Sequence, residues 1–146
     1  PQAVFDKTKG VAKTFVGYMG GNIKNPTYNL VCGGNTGHIE TVKVVFNPEK
    51  ISYSELLKLF FKIHDPTEFN RQGPDIGEQY KSVVFYTSTW QRDEAEKVKK
   101  EVENEMISTQ SNHLKEKKVY TEIRKAQEFY MAEEYHQKYY ERIKFD

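Results

Sequence analysis

A run of eight residues, IETVKVVF at 39–46, follows a stretch rich in glycine and asparagine, NPTYNLVCGGNTGH at 25–38. The run has the β-branched content of a strand, and Asn47-Pro48 stops it. Alternate side chains of a strand point to opposite faces, so Glu40 shares a face with Val42, Val44 and Phe46. That is the apolar face, the one expected to be buried. A carboxylate there loses hydration, which disfavours its charged form and prepares it to give up a proton. The plainer reading is a hydrated Glu40 at the strand's first turn, or one paired with a lysine. From the residues alone both readings stay open.

The rest of the chain alternates strand and helix signals. Residues 1–9, PQAVFDKTK, read as a short helical stretch closed by Lys9-Gly10, the tail of a helix. Val11 to Met19 alternates as a strand and ends at Gly20-Gly21. The glycine-rich loop beyond it lacks GxxxxGK[ST] and GxGxxG, so it reads as a close-packed loop rather than a phosphate cradle. Ser52 and Glu55 have the S-x-x-E spacing of a capping box, with Ile51 and Leu56 placed for a hydrophobic staple. Tyr53, Leu56, Leu57, Phe60, Phe61 and His64 then recur on one helical face, and Asp65-Pro66 ends the helix.

Residues 66–79 form a polar loop rich in turn residues, long enough to be expected to carry function. Tyr80 to Thr87 is a third predicted strand. Ser88 with Gln91 opens a long helix to about Ile107, whose charges read as a solvated face. Val119 to Ile123 is a fourth predicted strand, Gln127 to Phe129 a connection, and Met131 to Ile143 a last helix carrying Tyr135, Tyr139 and Tyr140. This order predicts an α+β fold, a two-layer ferredoxin-like sandwich with helices packed on a mixed sheet, and one domain over residues 1–146.

Bulk properties narrow the function. The 22 basic and 21 acidic side chains nearly cancel and form no basic block, so no nucleic-acid partner is expected. No apolar run is long enough for a membrane-spanning helix, so no membrane insertion is expected. The single cysteine, Cys32, excludes an internal disulfide and fits a reducing compartment such as cytoplasm or mitochondrion. His64 has no second histidine or cysteine at ligand spacing, so no metal site is expected. No bound cofactor is expected either.

Taken together, GYMGG at 17–21, NPTY at 25–28, TGHIE at 36–40, HDP at 64–66, RQGPDIGEQY at 71–80 and AEEYHQKYY at 132–140 resemble the peptide methionine sulfoxide reductase A family, in its order and spacing. The resemblance implies reduction of the S epimer of methionine sulfoxide, free or in proteins. In that family a cysteine thiolate attacks the sulfoxide sulfur, while a carboxylic acid and two tyrosines hold its oxygen. An external thiol, usually from thioredoxin, then restores the cysteine. By resemblance Glu40 is the proton donor, Tyr28 and Tyr80 the oxygen-binding phenols, and Asp75 an acidic partner that orders the site.

One family motif is missing from the sequence. GCFWG, which holds the nucleophile and an aromatic pocket, does not occur, and by resemblance Pro1 falls just after its last glycine. Cys32, in LVCGG, matches a non-catalytic position of the family, and the C-terminal resolving cysteines are absent. The expectation is a reductase domain truncated at its N-terminus and inactive by itself. The alternative is a catalytically inactive reductase-like binding or structural subunit of a larger assembly. A sheet lacking the strand that precedes GCFWG is expected to need a complementing segment or assembly partner along its open edge.

Overall fold

The structure is a computed structural model that describes residues 1–109 and 118–133. The fold is α+β and divides into two compact units, residues 1–52 with the C-terminal stretch from 127, and residues 53–126.

In the first unit, the short helix α1 (Gln2–Asp6) leads into strand β1 (Val11–Met19). Helix α2 (Tyr28–Cys32) interrupts the glycine-rich stretch before strand β2 (Ile39–Phe46). The expected bounds of β1 and β2 match the observed ones. The two strands pair antiparallel from Val11↔Phe46 to Met19↔Ile39, with one irregularity near Ala12. Strand β7 (Tyr130–Met131) pairs with the other edge of β1, opposite Tyr18 and Gly17. The sheet order is therefore β2-β1-β7, and β2 and β7 each have one hydrogen-bonded neighbour among the described residues.

Gly17 makes the β1–β7 contact possible. A Cβ at this position would overlap the Tyr130 carbonyl and the Phe129 ring. With only hydrogen there, the Phe129 ring crosses β1 and comes under the Lys43 ammonium, 5.8 Å from the ring centre. Met131, expected to begin a helix, lies in this strand instead. Pairing with β1 satisfies its backbone, a non-local gain that helical spacing cannot register. Ala132 and Glu133 follow outside any helix, and residues 134–143 of the expected helix, with Tyr135, Tyr139 and Tyr140, fall outside the described residues.

In the second unit, helix α3 (Tyr53–Ile63) ends just before His64-Asp65-Pro66, as proline geometry requires. Its Leu57 and Phe61 join Val84, Ala95, Val98 and Val119 in the core, with Tyr53 and Phe60 packed alongside. The loop after Pro66 holds more order than expected. It folds into a small hairpin of β3 (Arg71–Gln72) and β4 (Asp75–Ile76), then a 3-10 turn (Glu78–Tyr80). Strand β5 (Val83–Tyr86) and strand β6 (Glu122–Lys125) pair parallel, Val83 opposite Glu122. Between them runs helix α4 (Thr89–Thr109), which presents Ala95 and Val98 to the core.

Two expectations are corrected in this unit. Tyr80 is in the 3-10 turn rather than a strand, because its amide and that of Lys81 bond back to the carbonyls of Gly77 and Glu78. The fourth predicted strand begins at Glu122, not Val119, because the ladder with β5 starts there. The predicted helix start at Ser88 is met. Ser88 Oγ accepts from the Gln91 amide at 3.2 Å, while Gln91 reaches back to the Thr87 amide at 2.7 Å. Both pairing types expected of a mixed sheet occur, but in separate sheets among the described residues.

Candidate active site

Two of the sequence-predicted residues, Tyr28 and Glu40, lie in the first unit. Tyr28 is the first residue of α2. Thr27 caps this helix in extended conformation, its hydroxyl oxygen accepting from the Leu30 amide at 3.3 Å. The Tyr28 side chain is half-buried against the cluster of Tyr18, Val31 and Ala132. Its amide donates to Glu133 Oε1 at 3.0 Å, a contact across 105 positions of sequence.

Glu40 stands directly opposite Tyr18 in the β1–β2 ladder. Tyr28 and Glu40 thus flank the same buried cluster, one from a helix start and one from a neighbouring strand. The expected burial of Glu40 is corrected: the residue is exposed. Strand parity does hold further along, where Val42, Val44 and Phe46 are half-buried and Lys43 and Val45 exposed. At the head of the strand the loop decides instead, since His38 and Ile39 are turned inward at 2% and 3% exposure. The desolvation argued from parity therefore does not apply to this carboxylate.

His38 is the residue whose role the sequence reading missed. Its Nδ1 accepts from the Gly21 amide at 3.1 Å, so the ring proton is on Nε2, which donates to the Ile23 carbonyl at 2.7 Å. Its own amide donates to the Thr36 hydroxyl at 3.1 Å. The Tyr130 ring meets the imidazole edge-on, with centres 5.6 Å apart. Gly21 permits this approach, because a Cβ there would overlap the Thr36 carbonyl. One imidazole thereby ties the loop after β1 to the residues that lead into β2 and Glu40. The signal was the histidine inside TGHIE, directly after Gly37 and two residues before Glu40.

Asp75 and Tyr80 lie in the second unit. Asp75 is exposed on the β3–β4 hairpin, paired with Gln72. Tyr80 is half-buried at the end of the 3-10 turn, with its amide on the Gly77 carbonyl at 3.1 Å. The Gly77 amide in turn donates to the Asn70 carbonyl at 2.9 Å, which closes the hairpin base. The loop from 66 to 80 therefore holds both residues on one braced segment. Cys32 is exposed at the last position of α2. Among the described residues no cluster of three or more potential metal ligands occurs, and no helix is long and apolar enough to cross a membrane.

Comparison with known proteins bears on this arrangement. Residues 1–145 match the family described as peptide methionine sulfoxide reductase. A peptide methionine sulfoxide reductase MsrA of Methanothermobacter thermautotrophicus is 50% identical over 138 residues, spanning 94% of this chain and 78% of the relative. One from Sulfolobus acidocaldarius is 46% identical over 143 residues, spanning 98% of this chain and 76% of the relative. Among solved structures, methionine sulfoxide reductase A of Corynebacterium diphtheriae superposes with a TM-score of 0.87 at 32% identity, over 99% of this chain and 70% of its own. The reduced form of Mxr1 from Saccharomyces cerevisiae gives 0.81 at 37% identity, over 91% and 72%.

Proposed function

The chain belongs to the peptide methionine sulfoxide reductase family, and on that premise we propose that it serves the reduction of methionine-S-sulfoxide, free or in proteins, to methionine. The match over residues 1–145 carries this reading, and the motifs NPTY, TGHIE and GEQY support it by resemblance, with Tyr28, Glu40 and Tyr80 at the positions of the family's phenols and acid. In the reaction a thiolate attacks the sulfoxide sulfur while the oxygen gains a proton. The sulfur–sulfur bond so formed and the original S–O bond then break as the oxygen, with its proton, ends on the attacking sulfur, leaving methionine and a sulfenic acid. Two equivalents of an external thiol, such as the dithiol of thioredoxin, then return the sulfenic acid to a thiol, yielding a disulfide and water.

Glu40 supplies the proton to the oxygen in this reading, and its exposed position leaves it open to exchange with solvent. The phenols of Tyr28 and Tyr80 hold the oxygen as neutral donors, so that charge developing on it is met without a proton having to move first. Asp75, opposite Gln72 on the hairpin that leads to Tyr80, is in this reading the acidic partner that the family resemblance assigns to ordering the site. The attack itself is not assigned to Cys32, which matches a non-catalytic position of the family, and the 146 residues by themselves are proposed not to turn over. A complementing segment or an assembly partner along an edge of the β2-β1-β7 sheet belongs to the same reading.

The test is a thiol-coupled assay on N-acetylmethionine sulfoxide with the separated S and R epimers. The 146-residue chain is expected to be inactive. Preceded by a strand and a GCFWG segment, it is expected to reduce the S epimer alone, and Glu40→Gln in that form to lose most of the rate. Turnover by the 146 residues that disappears in Cys32→Ser would assign the attack to Cys32 instead. Failure of the extended form to reduce either epimer would overturn the reductase reading.

A further inference from the structure

Tyr28 opens a helix of only five residues, α2. A helix of that length does not persist on its own hydrogen bonds, so its ties to the rest of the unit decide where it sits. The Thr27 side chain meets the Leu30 amide, which leaves the amide of Tyr28 to be met from outside the helix. Glu133 meets it through Oε1 at 3.0 Å. An acceptor that carries charge makes a stronger bond to an amide than a neutral one does, and negative charge is favoured at a helix N-terminus.

Glu133 is delivered by the segment that forms β7. Tyr130 pairs with Tyr18, Met131 pairs with Gly17, and the Ala132 amide donates to the Val16 carbonyl at 2.9 Å. Ala132 also belongs to the cluster on which the Tyr28 side chain packs. Tyr28 is thus fixed at two points by adjacent residues, its backbone by Glu133 and its ring by the cluster. The second carboxylate oxygen of Glu133 is buried without a hydrogen-bond partner. Burying an unpaired oxygen of a charged group costs stability, and such a cost calls for an explanation beyond the fold itself.

We infer that Glu133 is a positioning residue for Tyr28: its carboxylate pins the first turn of α2 and so fixes the direction of the Tyr28 phenol. The inference rests on the reading of Tyr28 as a donor to the sulfoxide oxygen. A functional phenol needs its direction held to within roughly 10–20°, and a free helix end does not supply that. Glu133 acts through Tyr28 and does not touch the substrate.

The test uses the full 146-residue chain, amide exchange by NMR, and titration with N-acetylmethionine-S-sulfoxide. Glu133→Ala is expected to remove exchange protection at the Tyr28 amide while the β1–β2 amides keep theirs. Its affinity for the probe should fall roughly tenfold, less than the ~10²-fold that a misplacement of about 1 Å can cost. Glu133→Gln keeps an acceptor oxygen of the same reach and is expected to rescue both. Glu133→Asp keeps the charge but falls short of the amide, so it should behave like Glu133→Ala and serves if that variant does not fold. In a Tyr28→Phe background, Glu133→Ala should add less than about twofold, since the two act in series. Parent-like binding by both shortened variants, or an equal loss in both backgrounds, would overturn the inference. Parent-like binding by Tyr28→Phe, or no binding by the parent, would instead sink the reading of Tyr28, and the exchange data alone would then decide whether Glu133 pins the helix.

Discussion

Tyr18 and Glu40 stand opposite each other on adjacent antiparallel strands, the tyrosine 2% exposed and the glutamate on the surface. Opposed residues on a ladder share a face, so burial ends between these two side chains. Tyr18 belongs to the cluster that carries Tyr28, and Glu40 marks its solvent-facing margin. The pair therefore joins a packed wall to an accessible acid.

Glu40→Gln is expected to leave unfolding stability within about 0.5 kcal/mol of the parent, as for a surface substitution. Its effect should fall on sulfoxide binding and on turnover of the extended form. Thermal unfolding and probe titration of the same sample check this. A fall of several degrees with binding unchanged would make the carboxylate structural.

Gly17→Ala should act in the opposite way, on the fold. The new methyl group would overlap the Tyr130 carbonyl, which belongs to the backbone and cannot rotate aside. Overpacking of this kind costs about 1–3 kcal/mol. Urea unfolding should show that loss, and the Ala132 amide should lose protection as β7 leaves β1. Removing the Phe129 ring in the same chain is expected not to restore stability.

His64 gives the second unit a pH dependence. Its Nδ1 donates to the Phe60 carbonyl, and its Nε2 accepts from Ser82 Oγ at 2.7 Å, which accepts from Thr121 Oγ1 at 2.7 Å. Burial lowers the imidazole below its ordinary 6.5, against the Phe60 carbonyl and Asp65, which act the other way. The unfolded chain then binds the proton more readily than the folded one. Stability is full above pH 6.5 and is lost as pH falls from there through the lowered folded value. Urea midpoints measured downward from pH 7.5 should decline in the parent and stay flatter in His64→Asn. A parent that gains stability on acidification would contradict the neutral imidazole.

Tyr53 offers a gain. Its hydroxyl is buried without a hydrogen-bond partner, and burial, then Glu94, push its pKa up to about 12. Tyr53→Phe removes the unpaired oxygen and keeps the ring beside Trp90, 5.8 Å between centres. The variant is expected to be more stable by about 1 kcal/mol, read from Trp90 fluorescence during urea unfolding. A loss of similar size would mean the hydroxyl is satisfied in solution.

The sequence by itself determined the elements whose signals are local. Alternation set the course of β1 and β2 and Gly20-Gly21 and Asn47-Pro48 their ends, Asp65-Pro66 set the end of α3, and Ser88 with Gln91 set the start of α4, because period, turn residues, caps and proline act within a few residues. The ordered motifs likewise carried the family, since they are read along the chain. Tertiary structure alone decided what depends on a distant neighbour. Met131 became a strand because β1 offered partners, Tyr80 left the strand because the hairpin base drew it into a turn, and Glu40 reached the surface because His38 and Ile39 took the interior. The bond from Tyr28 to Glu133 spans 105 positions, and no spacing rule reaches that far. Local propensity is worth tenths of a kcal/mol per residue, whereas burying one large side chain is worth about 1.5–3 kcal/mol, so packing prevails wherever the two disagree.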